Sequence, residues 1–184
     1  MTQHNDVVEL LKEQHTRIRE LLDEVAATKG DERKRSFLDL VRLLAVHETA
    51  EEEVVHPFAR GAIDGGELVV RDRVQEEEQA KRALSRLEDM DPDSPEFLDE
   101  FAALRQDVLA HAEAEERYEF AHFHRHADRG SLENLARAVK AAEAVAPTRP
   151  HPGTDTALKN LAAGPVAAVV DRTRDAVRKA MSGS

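Results

Sequence analysis

Apolar residues at alternating steps of four and three run through the chain as Phe97, Phe101, Leu104 and Val108. That spacing commits the segment to an amphipathic helix whose stripe other helices must cover. Continued at the same step, the stripe reaches His111, Glu115 and Tyr118, within His111-Ala-Glu-Ala-Glu-Glu. An imidazole and a carboxylate therefore stand one turn apart where a dry core is required. An ionised carboxylate in a core is strongly unfavourable unless something positive meets it. His and Glu at i and i+4 share one face and can reach one metal ion, which supplies that charge.

The same spacing organises the rest of the chain. A first helix is predicted from Asn5 or Asp6 to Ala27, with that polar pair as its cap. Its inward series is Val7, Leu11, His15, Ile18, Leu22 and Val25. His15, taken alone, reads as a core histidine donating to a backbone carbonyl. After a turn at Lys29-Gly30-Asp31, with Asp31 as cap, a second helix carries Phe37, Leu40, Leu44, His47, Glu51, Val54 and Phe58 inward. Glu48, Glu52 and Glu53 lie off this seam and are expected to face water. Gly61, Gly65 and Gly66 break the chain. A third helix, from Glu67 to Glu88, buries Val70, Val74, Ala80, Leu84 and Leu87, with Glu77 as the polar intruder between Glu76 and Glu78. Such a run of charge usually faces water. Ser94 and Pro95 open the fourth helix, which runs to about Ala127. In its last turns His122 continues the inward series, while His124 and His126 point to solvent. A short helix, Ser131 to Val145, packs through Leu132, Leu135 and Val139.

These elements predict an all-α fold: an up-down antiparallel four-helix bundle with a short fifth helix over residues 1–145. Residues 146–184 form a separate linker and tail. Pro147, Pro150, Pro152 and Gly153 exclude a helix there. Val166, Val169, Val170, Thr173 and Val177 then mark one amphipathic tail helix flanked by Arg172, Arg174, Arg178 and Lys179.

Composition narrows the partners. A net charge of −11 argues against a nucleic-acid backbone. The absence of cysteine excludes disulfides and thiolate metal sites and suits a reducing cytoplasm. The first residues lack a basic segment followed by an apolar one, and no apolar run approaches the roughly 20 residues of a membrane span, so neither secretion nor stable membrane insertion is expected.

The opening motif has an echo. His47-Glu-Thr-Ala-Glu-Glu and His111-Ala-Glu-Ala-Glu-Glu share the pattern His-x-x-Ala-Glu-Glu, and both sit on inward seams. One such pair arises often by chance; two, with His15 on the seam of another helix, do not. In an antiparallel bundle they fall at one level, where facing helices build metal sites. The candidate ligands are His15, His47, Glu51, Glu77, His111 and Glu115. Three imidazoles and three carboxylates suit two ions, bridged by Glu51 and Glu115. A nitrogen–oxygen set without sulfur favours iron or manganese over structural zinc. So few protein ligands per metal leave room for an oxo or hydroxo bridge and a small exogenous ligand.

Leu10-Leu-Lys-Glu-Gln-His15-Thr-Arg-Ile and the two echoing segments resemble the hemerythrin-like proteins with the HHE cation-binding domain, over residues 6 to 127. The tail that begins Ala146-Pro-Thr-Arg-Pro-His-Pro is similar to tails of actinobacterial members. The resemblance implies a four-helix bundle holding a non-haem di-iron centre that binds oxygen or nitric oxide, acts on peroxide in a catalase- or peroxidase-like way, or serves iron homeostasis. Two positions depart from the family pattern. Glu77 stands where the third-helix histidine is usual, and His56 where an aromatic residue commonly precedes the proline. Two other functions stay open at this level: iron holding without turnover, and a metal-free helical interaction module whose seam polar groups pair with one another.

Overall fold

The computed structural model describes residues 6–146 and Thr148; the remainder of the linker and the tail helix expected over residues 166–177 lie outside the described residues. All regular structure among the described residues is helical. Helix α1 is Val7–Ala27, α2 Gly30–Ala50, α3 His56–Ala62, α4 Gly66–Glu88, α5 Pro95–Ala114, α6 Phe120–His126 and α7 Arg129–Glu143. A π-helical turn, Glu51–Val55, joins α2 to α3, and a second, Glu115–Glu119, joins α5 to α6. The long second and fourth helices of the bundle are therefore each continuous through a widened turn.

Local chemistry sets the ends. The Asp6 carboxylate caps α1 by accepting from the Glu9 N–H at 3.0 Å, and Ser94 caps α5 by accepting from Phe97 N–H at 3.1 Å. Asp128 caps α7 the same way, so that helix starts at Arg129, two residues ahead of the expected Ser131. The expected Asp31 cap is not formed. Asp31 lies in the first turn of α2, and the Gly30 N–H instead donates to Asp93 Oδ2 at 2.9 Å. Asp93 also pairs with buried Arg33 at 2.8 Å, which ties the α1–α2 turn to the α4–α5 turn at one end of the bundle. At the other end Gly65 takes φ +73°, and a Cβ on Gly66 would lie 2.5 Å from the Ala59 carbonyl oxygen. Only glycines fit that corner.

Helix α1 packs on α2, α4 on α5, and α7 lies across α1, α2 and the first π turn. The apolar core is divided. One cluster gathers Leu11, Val54, Phe58, Val70, Phe123 and Val139 with their neighbours. The other gathers Ile18, Leu44, Leu84, Phe97, Phe101 and Val108, with Phe37 meeting Phe97 edge-on at 5.2 Å. Each fully buried large apolar side chain contributes about 1.5–3 kcal/mol, so both clusters stabilise the bundle. Between them, at the level of His15, His47, Glu77 and His111, lies a polar layer.

The second π turn corrects the expected seam. A π turn spans one more residue than an α turn. Beyond Glu115 the inward positions therefore move on by one, from Tyr118 and His122 to Glu119 and Phe123. Glu119 and Phe123 are buried, whereas Tyr118 is 47% exposed and His122 sits at the surface.

Candidate metal centre

Four long helices each contribute at the polar layer. Helix α1 supplies His15, and α2 with its π turn supplies His47 and Glu51. Helix α4 supplies Glu77, and α5 with its π turn supplies His111 and Glu115. Both π turns open on the glutamate of a His-x-x-x-Glu pair. Glu51 and Glu115 are wholly buried, His15 and Glu77 nearly so, and only His111 retains some exposure.

The structure brings all six candidate ligands together, in two overlapping groups. Donor atoms of His15, His47, Glu51 and Glu115 lie within 4.8 Å of one another, and so do those of Glu51, Glu77 and His111. Glu51 belongs to both. Glu115 also spans the layer, with one oxygen 3.3 Å from His15 Nε2 and the other 3.4 Å from His111 Nε2. His47 Nε2 lies 3.4 Å from Glu51 Oε2.

An outer ring fixes the imidazoles. His15 Nδ1 donates to Glu116 Oε1 at 2.9 Å, and that carboxylate is held by Arg19 at 2.8 Å. His47 Nδ1 donates to Gln14 Oε1 at 2.7 Å, and the Gln14 amide donates in turn to Glu143 on α7. His111 Nδ1 donates to Glu76 Oε2 at 2.9 Å. All three partners are acceptors, so in the neutral ring Nδ1 carries the proton and Nε2 turns its lone pair inward. That is the arrangement by which outer-shell groups orient metal-binding histidines.

The inner atoms approach one another but are not joined by hydrogen bonds. Both oxygens of Glu51, both of Glu115, Glu77 Oε2, His15 Nε2 and His111 Nε2 are buried and make no hydrogen bond to the described residues. Each unsatisfied buried polar group costs about 1–3 kcal/mol. A bound cation accepts lone pairs from such atoms, so the donor set fits a metal site.

The charge balance shows the same tension. Burial, then the charges of Glu115 and Glu77, pushes the Glu51 carboxyl well above the usual range. Burial and the charge of His15 push His47 down to about 3. Burial opposes charge on His111 too, but Glu115 and Glu76 outweigh it and hold that ring well above its ordinary value. Glu115, although buried, is held well below the usual range by His111 and His15. Metal-free, the layer keeps protons on Glu51 and His111 that a cation would displace.

Several participants lie outside the six. Glu48, expected to face water, is buried, and Glu52 is largely covered; Lys81 of α4 pairs with both, at 3.8 Å from Glu48. Burial, only partly offset by Lys81, raises the Glu48 carboxyl to about 8. Glu119 is raised to about 7 by burial and by Glu115, with Arg73 at 3.6 Å. His56 meets Glu77 at 2.6 Å, both nearly inaccessible. Beside the layer is a cavity of about 190 Å³ whose wall includes His15, His47, Glu77 and His111 on one side and Ile18, Leu44 and Val108 on another. Of these participants, Glu116 was visible in the echo as its second glutamate, and Gln14 stands next to His15. Nothing in the spacing marked Glu76, Lys81 or Glu119, because their roles depend on which helix faces which.

The hemerythrin HHE cation binding domain profile matches residues 6–123. A crystal structure of a hemerythrin HHE cation binding domain-containing protein from Mycobacterium kansasii superposes with a TM-score of 0.66 at 24% identity, covering 91% of this chain and 98% of that one, a likeness of fold. A protein named DNA nickase from Nostoc sp. is 25% identical over 142 residues, which make up 77% of this chain and 40% of the relative. The chain thus spans well under half the length of that relative.

Proposed function

The chain belongs to the hemerythrin HHE cation-binding domain family, and from that membership we propose that it holds two non-haem iron ions and handles a small oxygen species, O2, NO or peroxide. The observation that carries the reading is the pair of overlapping donor groups sharing Glu51, with their inward atoms unpartnered. His15 and His47 would hold one ion, His111 and Glu77 the other, with Glu51 and Glu115 between them. Six nitrogen and oxygen donors without sulfur favour iron or manganese. A redox-active metal pair supplies electrons and Lewis acidity to a bound small molecule.

The chain's own residues shape what reaches that pair. Ile18, Leu44 and Val108 form an apolar part of the cavity wall, and the cavity, at about 190 Å³, has ample room for a molecule of two to four atoms. Glu76, Gln14 and Glu116 hold the imidazoles in one orientation. A third carboxylate, Glu77, adds negative charge and favours the harder ferric state. That balance suits peroxide chemistry or ferric-iron holding better than reversible oxygen carriage, which rests in the ferrous state. The nickase activity named for the Nostoc relative is no part of this reading: the chain matches 40% of that protein and carries a net charge of −11. No helix among the described residues is long and apolar enough to cross a membrane, and with no cysteine present the reading places the protein in a reducing cytoplasm.

Metal analysis and an absorption spectrum of protein from iron-supplemented cells test the proposal. Two irons per chain with charge-transfer bands are expected. One ion or none after reconstitution refutes it. Rapid mixing with peroxide, O2 and NO then separates the functions: a two-iron protein inert to all three is an iron-holding protein without turnover.

A further inference from the structure

The two halves of the centre are built on a repeat, and one imidazole has changed sides between them. The displacement along the chain that carries His47 to His111 and Glu51 to Glu115 also carries His56 to Phe120. It likewise superposes the two π turns and the short helices that follow them, His56–Ala62 on Phe120–His126. In one half, Phe120 stacks on the inward ring of His15 at 5.7 Å and 18°. In the other, the residue matching Phe120 is His56, and the inward group it touches is the Glu77 carboxylate, at 2.6 Å from His56 Nε2. The pair His15 with Phe120 is thus answered by the pair Glu77 with His56.

We propose that His56 is the positioning residue of Glu77: its Nε2–H engages Oε1 and leaves Oε2 as the one oxygen that Glu77 turns to a metal ion. The proposal rests on the two-metal reading above. Two observations carry it. Both side chains are essentially inaccessible, so neither water nor a surface group competes for the contact. Of the two Glu77 oxygens, only Oε2 is buried without a hydrogen-bond partner. A carboxylate free to rotate can offer either oxygen or both; one tied at Oε1 has a fixed plane and one donor, the stereochemistry of an imidazole nitrogen. His56 so lets a glutamate stand where the opposite half uses a histidine. It is an outer-shell ligand-orienting group like Glu76, Gln14 and Glu116, with donor and acceptor exchanged.

Calorimetric titration of the metal-free full chain with Co2+ tests this, with far-UV circular dichroism in chelator as the fold control. The parent is expected to bind two ions. His56→Phe removes the donor, and should weaken one of the two sites about 10–100-fold while leaving the other unchanged. His56→Leu, smaller than Phe, serves the same purpose where the Phe variant does not fold. His56→Gln, which keeps an N–H donor, should stay near the parent. The double variant His56→Phe, Glu77→His copies the His15–Phe120 arrangement and should regain two ions. Parent-like binding of both ions by His56→Phe or His56→Leu overturns the proposal alone. So does a loss in His56→Gln as deep as in the apolar variants, which would make the imidazole itself the ligand. A parent that binds fewer than two ions overturns the two-metal reading and this proposal together.

Discussion

Replacing Glu51 by leucine should make the metal-free protein more stable and the metal-loaded protein impossible to form. Glu51 is wholly buried, neither carboxylate oxygen has a hydrogen-bond partner, and Glu115 and Glu77 face it with like charge. Metal-free, the chain must therefore either bury an uncompensated anion or hold a proton that water would otherwise remove. Removing an unsatisfied buried group recovers about 1–3 kcal/mol, and burying a leucine of similar volume between the two apolar clusters adds about as much again at most. A net gain of roughly 2–4 kcal/mol is expected, which for a bundle of this size raises the melting temperature by about 5–12 °C. In saturating Fe2+ or Co2+ the order should reverse, because the parent gains binding free energy that Glu51→Leu cannot. The assay is paired thermal melts by circular dichroism, in chelator and in excess metal, with metal content measured on the same samples. A Glu51→Leu chain that melts at or below the parent in chelator refutes the reasoning, since it means that the Glu51 oxygens are satisfied without metal.

His111→Ala should abolish stoichiometric binding of two ions and lower the melting temperature of the metal-treated protein, because Glu115 loses the ring that faces one of its oxygens; two ions bound as in the parent would remove His111 from the ligand set. The metal-free chain should lose stability from pH 6.5 to 8. Glu119 and Glu48, raised from 4.5 to about 7 and about 8, and His111, also raised, keep protons in the fold that the unfolded chain has released. His47, pushed down to about 3, works the opposite way only below 6.5. Metal affinity should rise with pH as protons on Glu51 and His111 stop competing, so melts in metal should fall less steeply with pH than melts in chelator, and parallel curves would contradict the assignment. A chain ending at Ala146 should still bind two ions, since all six candidate donors lie between His15 and Glu115; a folded truncation that binds none would place part of the site in residues 147–184.

The step of three and four residues was enough to read an all-helical bundle and the stripe that each helix buries, because an amphipathic face is a local property of the chain. It also singled out His15, His47, Glu51, Glu77, His111 and Glu115, because a polar group on an apolar seam contrasts with its own neighbours. What no local pattern carried was the widening of two helices at Glu51 and Glu115. After Glu115 the extra residue moves the inward positions on by one, which is why Tyr118 and His122 read as inward and Glu119 and Phe123 are so, whereas after Glu51 the expected Val54 and Phe58 stay buried, joined by Val55 and Ala59. Nor could spacing show which outer residues meet which inner ones. Glu48, Glu52 and Glu76 belong to acidic runs that look solvated in one dimension. Only the approach of α4 brings Lys81 to the first two and His111 to the third. The pairing of His56 with Glu77 is of the same kind. Each is a polar residue without a local reason, and the reason is the other, held 2.6 Å away by the packing of α3 on α4.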